Sequence, residues 1–263
     1  MIKTLLMLTI CSVCSAKITE VATMDTVFAH FADADEGTLA VFDVDMVLIQ
    51  PEDPAFQMAN MKKYGSICKK VMGQVPADKR NIFLALMSVS PPVLIDRRLP
   101  DFIDGLTEKG IPKIALTANL TGPLKSIEKL ERQRVASLRK LGIDFSNGSP
   151  YPDDIVFHDL PTYRNNYSLY THGIIFVNGT VSTKGDLLVS FFEKTKFMPR
   201  RVIFVDDREE NLKDVSASLL RFNPNIDYVG LHYVGAKDYP SVSISESDFE
   251  ARWTDLSNEA QKL

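Results

Sequence analysis

Cysteine is scarce in this chain. The 263 residues contain three, Cys11, Cys14 and Cys68. The first two sit inside an apolar N-terminal run, a poor setting for a C-x-x-C redox or zinc site. A disulfide-stapled scaffold is therefore excluded, and stability has to come from a packed core. Basic excess is also lacking. Thirty Lys and Arg face 34 Asp and Glu, for a formal net charge of −4, which argues against a nucleic-acid binder. There is no long run of one charge sign, no low-complexity tract and no internal repeat. No apolar stretch reaches the ~20 residues that a membrane-spanning helix needs. What remains is ordinary globular composition, 45% hydrophobic and 24% charged. Its length suits one α/β domain with an insertion, or two small domains.

The N-terminus "MIKTLLMLTICSVCSAKITE" has its own pattern. Lys3 is followed by an apolar stretch to about Val13, and then by small residues up to Ala16. This order of charge, apolar core and small residues predicts a signal peptide over 1–16, cut after Ala16, and hence an exported, periplasmic or secreted protein over 17–263. A buried N-terminal strand or helix is the alternative. After cleavage, Cys68 would be the single cysteine left.

Further along, Val21 to Ala34 reads as a helix, and "TLAVFDVDMVL" as a buried strand that ends on Asp43. Residues 55–88 read as helical and Met-rich between Pro54 and Pro91-Pro92, with the methionines as core filling. "LPDFIDGLTEKG" reads as a helix closed by Gly110, "IPKIALTAN" as a second buried strand, and 123–141 as a charged, solvated helix. "THGIIFVNGTVS" reads as a hairpin turning at Asn178-Gly179. Lys184-Gly185 opens the next helix, "RRVIFVDD" is a third strand, "DYVGLHYVG" a fourth, and the tail from Ser245 a final helix. The alternation predicts a doubly wound parallel sheet, with ligands beyond the carboxyl ends of its strands.

That rule gathers the polar strand ends. Asp43 and Asp45 share a face if the strand stays extended. Two neighbouring anions repel unless a cation or a shared proton sits between them. Alone, D-x-D is often a turn, a Thr after a strand a cap, a lone Lys a surface group, and Asp206-Asp207 the cap of the next helix. Four pieces in order, "FDVDMVL", "IALTAN", "STKGDL" and "VIFVDDREEN", are far more specific.

In these four pieces the sequence resembles the haloacid dehalogenase superfamily, over about residues 38–212. More narrowly, "VFDVD", "LRKLGIDFS" and "GIIFVNGTVSTKG" resemble a family of exported bacterial members of uncertain function. One departure is Met46-Val47, where the superfamily often has Gly-Thr. The resemblance implies a phosphomonoester hydrolase that uses Mg²⁺ and an aspartyl-phosphate intermediate. In it Asp43 is nucleophile and metal ligand. Asp45 is the acid/base and gives its backbone carbonyl to the metal. Asp206 supplies a further carboxylate, with Asp207 a ligand or water-holder. Thr117 and Lys184 bind the phosphoryl group. An Asp at position 45 goes with phosphatases and phosphomutases, whereas dehalogenases lack an acid there and ion-pumping ATPases carry Thr. Receiver domains place their acidic pair first in the chain, and here it comes last.

The rival from another class is a secreted protein that binds a phospholigand or a partner on the same core without turnover. Phosphotransfer to another alcohol would use the same residues. The substrate expected is a small phosphate ester, selected by cap insertions placed at 51–95 and 143–180. Neither carries a readable specificity motif, and the basic pairs Lys62-Lys63, Lys69-Lys70 and Arg97-Arg98 read as solvated faces.

Overall fold

The computed structural model describes residues 17–239 and 241–263. The expected signal segment, 1–16, lies outside the described residues. In chain order the elements are β1 (Lys17–Val21), α1 (Met24–Ala29), β2 (Thr38–Phe42), β3 (Ile49–Pro51), α2 (Met58–Lys63), α3 (Gly65–Gln74), α4 (Arg80–Ser88), β4 (Pro92–Leu94), α5 (Leu99–Glu108) and β5 (Lys113–Thr117). They continue with α6 (Leu130–Lys140), β6 (Ile155–Val156), β7 (Leu169–Thr171), β8 (Ile174–Phe176), α7 (Lys184–Thr195), β9 (Arg201–Asp206), α8 (Glu209–Phe222), β10 (Asp227–Tyr233) and α9 (Glu246–Lys262).

Eight strands form one sheet in the order β1-β10-β9-β2-β5-β8-β7-β6. Neighbours from β1 through to β8 pair in parallel, and β7 and β6 add an antiparallel edge. The central strands are apolar on both faces because helices cover both. Along β2, Ala40 and Phe42 pack with Val27 of α1, Ile103 of α5 and Leu138 of α6. Leu39 and Val41 point the other way, toward Leu188 and Phe191 of α7 and Val215 of α8. The period-two alternation of a strand thus feeds two cores from one continuous apolar run.

β2 sits between β5 and β9. The chain steps outward from β2 on one side to β5 and β8, then returns to β9 on the other side and steps outward to β10, which pairs with the first strand, β1, at the edge. This reversal beside β2 is a switch point, where loops diverge and leave a crevice at the carboxyl ends.

A third apolar cluster stands apart from the sheet. It joins Phe56, Val71 of α3 and Phe83 of α4 to Phe249 and Trp253 of α9. The Trp253 ring lies 5.4 Å from Phe83 and 5.7 Å from Phe249, centre to centre, and its Nε1 donates to the Ala55 carbonyl at 2.8 Å. The first expected insertion thus holds a small helical unit, α2 to α4, carried on a two-stranded neck of β3 and β4. Its core is completed by the last helix of the chain. α9 begins behind Ser245, whose hydroxyl accepts from Asp248 N–H.

Four sequence expectations change. The Val21–Ala34 helix shrinks to α1, and the residues before it form the edge strand β1, whose exposed Lys17 and Glu20 hid it. The hairpin turns at His172-Gly173, with β7 pairing antiparallel to β8. Both dipeptides allow left-handed backbone. The apolar run Ile174–Val177 chooses between them, because it is buried as the sheet neighbour of β5. The segment 143–180, expected as a second cap, contributes the strands β6, β7 and β8 to the main sheet. The charged helix of 123–141 starts at Leu130. No helix among the described residues is long and apolar enough to cross a membrane.

Candidate active site

β2 delivers Asp43 to the crevice. Its N–H still pairs with the Val205 carbonyl of β9 at 2.9 Å, so the residue is held in strand register. The chain then leaves the extended path. Met46 takes a left-handed backbone, φ 63°, and its N–H donates to the Ile49 carbonyl at 2.7 Å. Left-handed backbone favours glycine, so Met46 is strained at this turn. The turn separates the two acids. Both line the same cavity, yet their side chains meet different partners.

Asp43 meets Lys184. The ammonium lies 2.9 Å from Asp43 Oδ1 and 2.7 Å from Asp206 Oδ2, and its side chain is 4% exposed. Lys184 is the first residue of α7, behind Thr183, which forms a capping box with Asp186. Gly185 follows because α7 lies tight on α8. A Cβ there would come within 2.9 Å of the Asp214 carbonyl, and the Gly185 N–H donates to the Asp214 carboxylate at 2.8 Å.

Asp206 ends β9 and is fully buried. Its oxygens are occupied: besides Lys184, Asn211 Nδ2 donates to both at 3.0 Å and Arg208 N–H donates to Oδ1 at 2.8 Å. Asp207 is half-buried and faces the cavity. Asp206 is therefore the anchor of Lys184, and Asp207 the more open carboxylate, the reverse of the weighting expected from sequence. Thr117, at the end of β5, is buried. Its Oγ1 accepts from the Asn119 N–H at 3.2 Å, leaving its own O–H free to donate into the cavity.

Asp45 is held from the other side. Asn119 Nδ2 donates to Oδ2 at 2.7 Å and Arg134 NH2 to Oδ1 at 3.1 Å. Arg134, on α6, also donates to Asn119 Oδ1 at 2.8 Å and to the carbonyl of Ser88, the last residue of α4, at 2.8 Å. Sequence reading missed this clamp. Asn119 could have been suspected, since it stands two residues past Thr117. Arg134 could not, because it is one of several charges in a helix read as solvated.

Carboxylate oxygens of Asp43, Asp206 and Asp207 lie within 4.8 Å of one another. Burial pushes the Asp43 carboxyl well above the ordinary range, the nearby Asp206 and Asp207 push it further, and Lys184 opposes them. Burial, with Asp206 beside it, raises Asp207 to about 7. Burial acts to lower Lys184, but Asp206 and Asp43 overcome it and hold the ammonium above its ordinary value. Three acids against one lysine leave an unbalanced negative site. A hard cation with oxygen ligands fits that donor set. Over the carboxylates lies a cavity of about 330 Å³, lined on its far side by residues of α2, α3, α4 and α9.

Comparison with known proteins finds similar chains in Rickettsia species. It is 25% identical to an uncharacterized protein of Rickettsia bellii over 240 residues, 87% of this chain and 81% of that protein. A second relative, from Rickettsia felis, is 31% identical over 135 residues, 51% of this chain and 45% of its own length. A third, from Rickettsia conorii, is 23% identical over 240 residues, 87% of this chain and 81% of the relative. No solved structure matches. A family model described as Protein of unknown function (DUF2608) matches residues 20–262, and the chain belongs to that family.

Proposed function

We propose that the protein is a Mg²⁺-dependent phosphomonoester hydrolase with a haloacid-dehalogenase-like core, acting through an aspartyl-phosphate on Asp43. The observation that carries this reading is the division of labour at the sheet edge. Asp43, Lys184, Asp206 and Asp207 cluster together, while Asp45 is held apart by Asn119 and Arg134. Nucleophile and acid/base need that separation, because each must act on a different atom of the phosphate ester. The crevice position beside β2 and the helical cap after the first acidic loop support the same reading.

In the first step a carboxylate oxygen of Asp43 attacks phosphorus. A P–O bond forms to Asp43, the ester P–O bond breaks, and protonated Asp45 gives its proton to the leaving alcohol. In the second step ionised Asp45 takes a proton from water, whose oxygen attacks phosphorus and releases phosphate and Asp43. Lys184 stands against Asp43 and offsets charge on the phosphoryl oxygens, and Thr117 donates its hydroxyl to one of them. Mg²⁺, held by the Asp43 and Asp207 carboxylates and the Asp45 carbonyl, would supply the charge neutralisation that lets one anion approach another. We propose further that residues 1–16 direct export, so that the enzyme meets phosphate esters outside the cytoplasm.

The test is hydrolysis by purified residues 17–263 of a panel of phosphate esters with Mg²⁺. The expected result is release of inorganic phosphate, lost in Asp43→Asn, whose amide is nearly isosteric but cannot attack. Binding of inorganic phosphate without turnover of any ester would instead favour a phospholigand-binding protein.

A further inference from the structure

The lining of the cavity changes character with distance from the carboxylates. At the sheet edge it is polar, with Asp43, Asp45, Thr117, Asn119, Asp207 and Arg208. On the cap side it is apolar and soft: Met58, Met61, Met72 and Met87, with Phe83 and Trp253. All four methionines are half-buried, as side chains are that pack inward on one side and face a hollow on the other. Leu84 lines the same space and is 42% exposed. Among the described residues that line the cavity, Arg208 is the one cation, and it stands at the polar end beside Asp207. The remaining polar groups around the cap side, Asn81, Ser88 and Thr180, are uncharged.

Resting on the phosphomonoesterase reading, we infer that the site takes phosphate monoesters of uncharged, mainly hydrocarbon alcohols, with the apolar part seated among the cap methionines. A second phosphate or a carboxylate on the substrate would have no cation to meet in the cap. A sugar would leave its hydroxyls against thioethers and rings, each an unpaired polar group taken from water. A hydrocarbon chain or an aryl ring loses nothing there. About 330 Å³, at the roughly 30 Å³ that one water takes in the liquid, is room for about eleven water-sized groups, enough for the phosphoryl group and a six-carbon alcohol. Unbranched, polarisable methionines re-pack around ligands of different outline. The selectivity is therefore for apolar character and length, with tolerance of shape.

The experiment compares ethyl phosphate, n-hexyl phosphate and glucose 6-phosphate as substrates of residues 17–263 with Mg²⁺. Each buried methylene contributes about fourfold. Four added methylenes therefore set an upper limit of about 250-fold in kcat/KM, and at least about tenfold is expected for hexyl over ethyl. Glucose 6-phosphate should fall below hexyl phosphate by a similar factor. In parallel, n-hexylphosphonate and ethylphosphonate, which cannot be hydrolysed, are titrated while the fluorescence of Trp253 is followed. The chain has a single tryptophan, and it lines the cavity, so the hexyl compound should shift its emission at lower concentration than the ethyl compound does. Leu84→Lys, at an exposed position that tolerates charge, should shrink the hexyl preference and improve 6-phosphohexanoate, which carries a second anion.

Equal kcat/KM for the three esters, or a Trp253 response no stronger for the hexyl phosphonate, overturns the inference and leaves the phosphatase standing. Failure to hydrolyse any ester while hexylphosphonate still shifts Trp253 selectively does the reverse: it refutes hydrolysis and supports the apolar chamber. Neither hydrolysis nor a selective shift overturns both.

Discussion

Arg134 offers a test of how α4 and Asp45, the proposed acid/base, are joined. Its side chain is 6% exposed and bridges three groups: Asp45, Asn119 and the Ser88 carbonyl at the end of α4. Met has similar reach and no charge, so Arg134→Met removes the bridges without opening a large hole. The Asp45 partner is itself 28% exposed, so water replaces part of what is lost there. The Ser88 carbonyl and Asn119 Oδ1 lose a charged donor. A destabilisation of roughly 2–3 kcal/mol is expected, below the full cost of breaking a buried pair. The catalytic effect should be larger and selective. Positioned general acid–base catalysis is worth about 10²–10⁴ in rate. A loosened Asp45 should therefore lose on the order of a hundredfold in kcat on an alkyl phosphate, whose alkoxide needs a proton. On p-nitrophenyl phosphate, whose leaving group barely needs one, the loss should stay within about threefold. Urea unfolding and steady-state kinetics on the two esters decide it. Equal losses on both would show that Arg134 does not act through Asp45, and unchanged kinetics on both would refute the clamp.

Further outcomes follow from the charge balance. Asp207 has its carboxyl raised from 3.8 to about 7 in the fold, so the metal-free native state binds a proton that the unfolded chain has released. Stability of the metal-free protein should therefore fall as pH rises from about 4 to 7, and Mg²⁺ should restore it at pH 7. A flat stability profile in EDTA would contradict this. Lys184→Met should steepen that fall, because Asp43 and Asp206 lose their shared cation. A shallower pH slope than the parent would count against the Lys184 contacts. Asp207→Ala should raise the Mg²⁺ concentration needed for half-maximal activity far more than KM for the ester, as read from metal titrations at fixed substrate. An unchanged Mg²⁺ requirement would remove Asp207 from the metal site.

The sheet and most of its polar strand ends were legible in the sequence for a physical reason. A strand buried on both faces is written as a continuous apolar run, and Leu39–Phe42, Ile114–Leu116 and Val202–Val205 are such runs. Polar residues directly after them stand at the crevice by topology alone. The edge strand β1 was hidden because its exposed positions carry Lys17 and Glu20. The hairpin was misplaced because His172-Gly173 and Asn178-Gly179 are both competent turns, and the choice between them is made by pairing with β5, about sixty residues earlier. The role of α9 was invisible for a similar reason. Its helix period is readable, but its packing on Phe83 and Ala55 joins residues as many as 198 positions apart. Arg134 is the extreme case: nothing local separates a buried clamp from a solvated charge.

The central claim is that Asp43 carries the phosphoryl group. In Asp45→Asn, attack on p-nitrophenyl phosphate can proceed but activation of water cannot, so the intermediate should accumulate. Rapid acid quench of that variant with Mg²⁺ present, followed by mass spectrometry of its peptides, tests this directly. The account predicts one added phosphoryl group on the peptide containing Asp43, absent when Asp43 is also changed to Asn. A phosphoryl group on another residue, or turnover of the ester with none trapped on this variant, would contradict it.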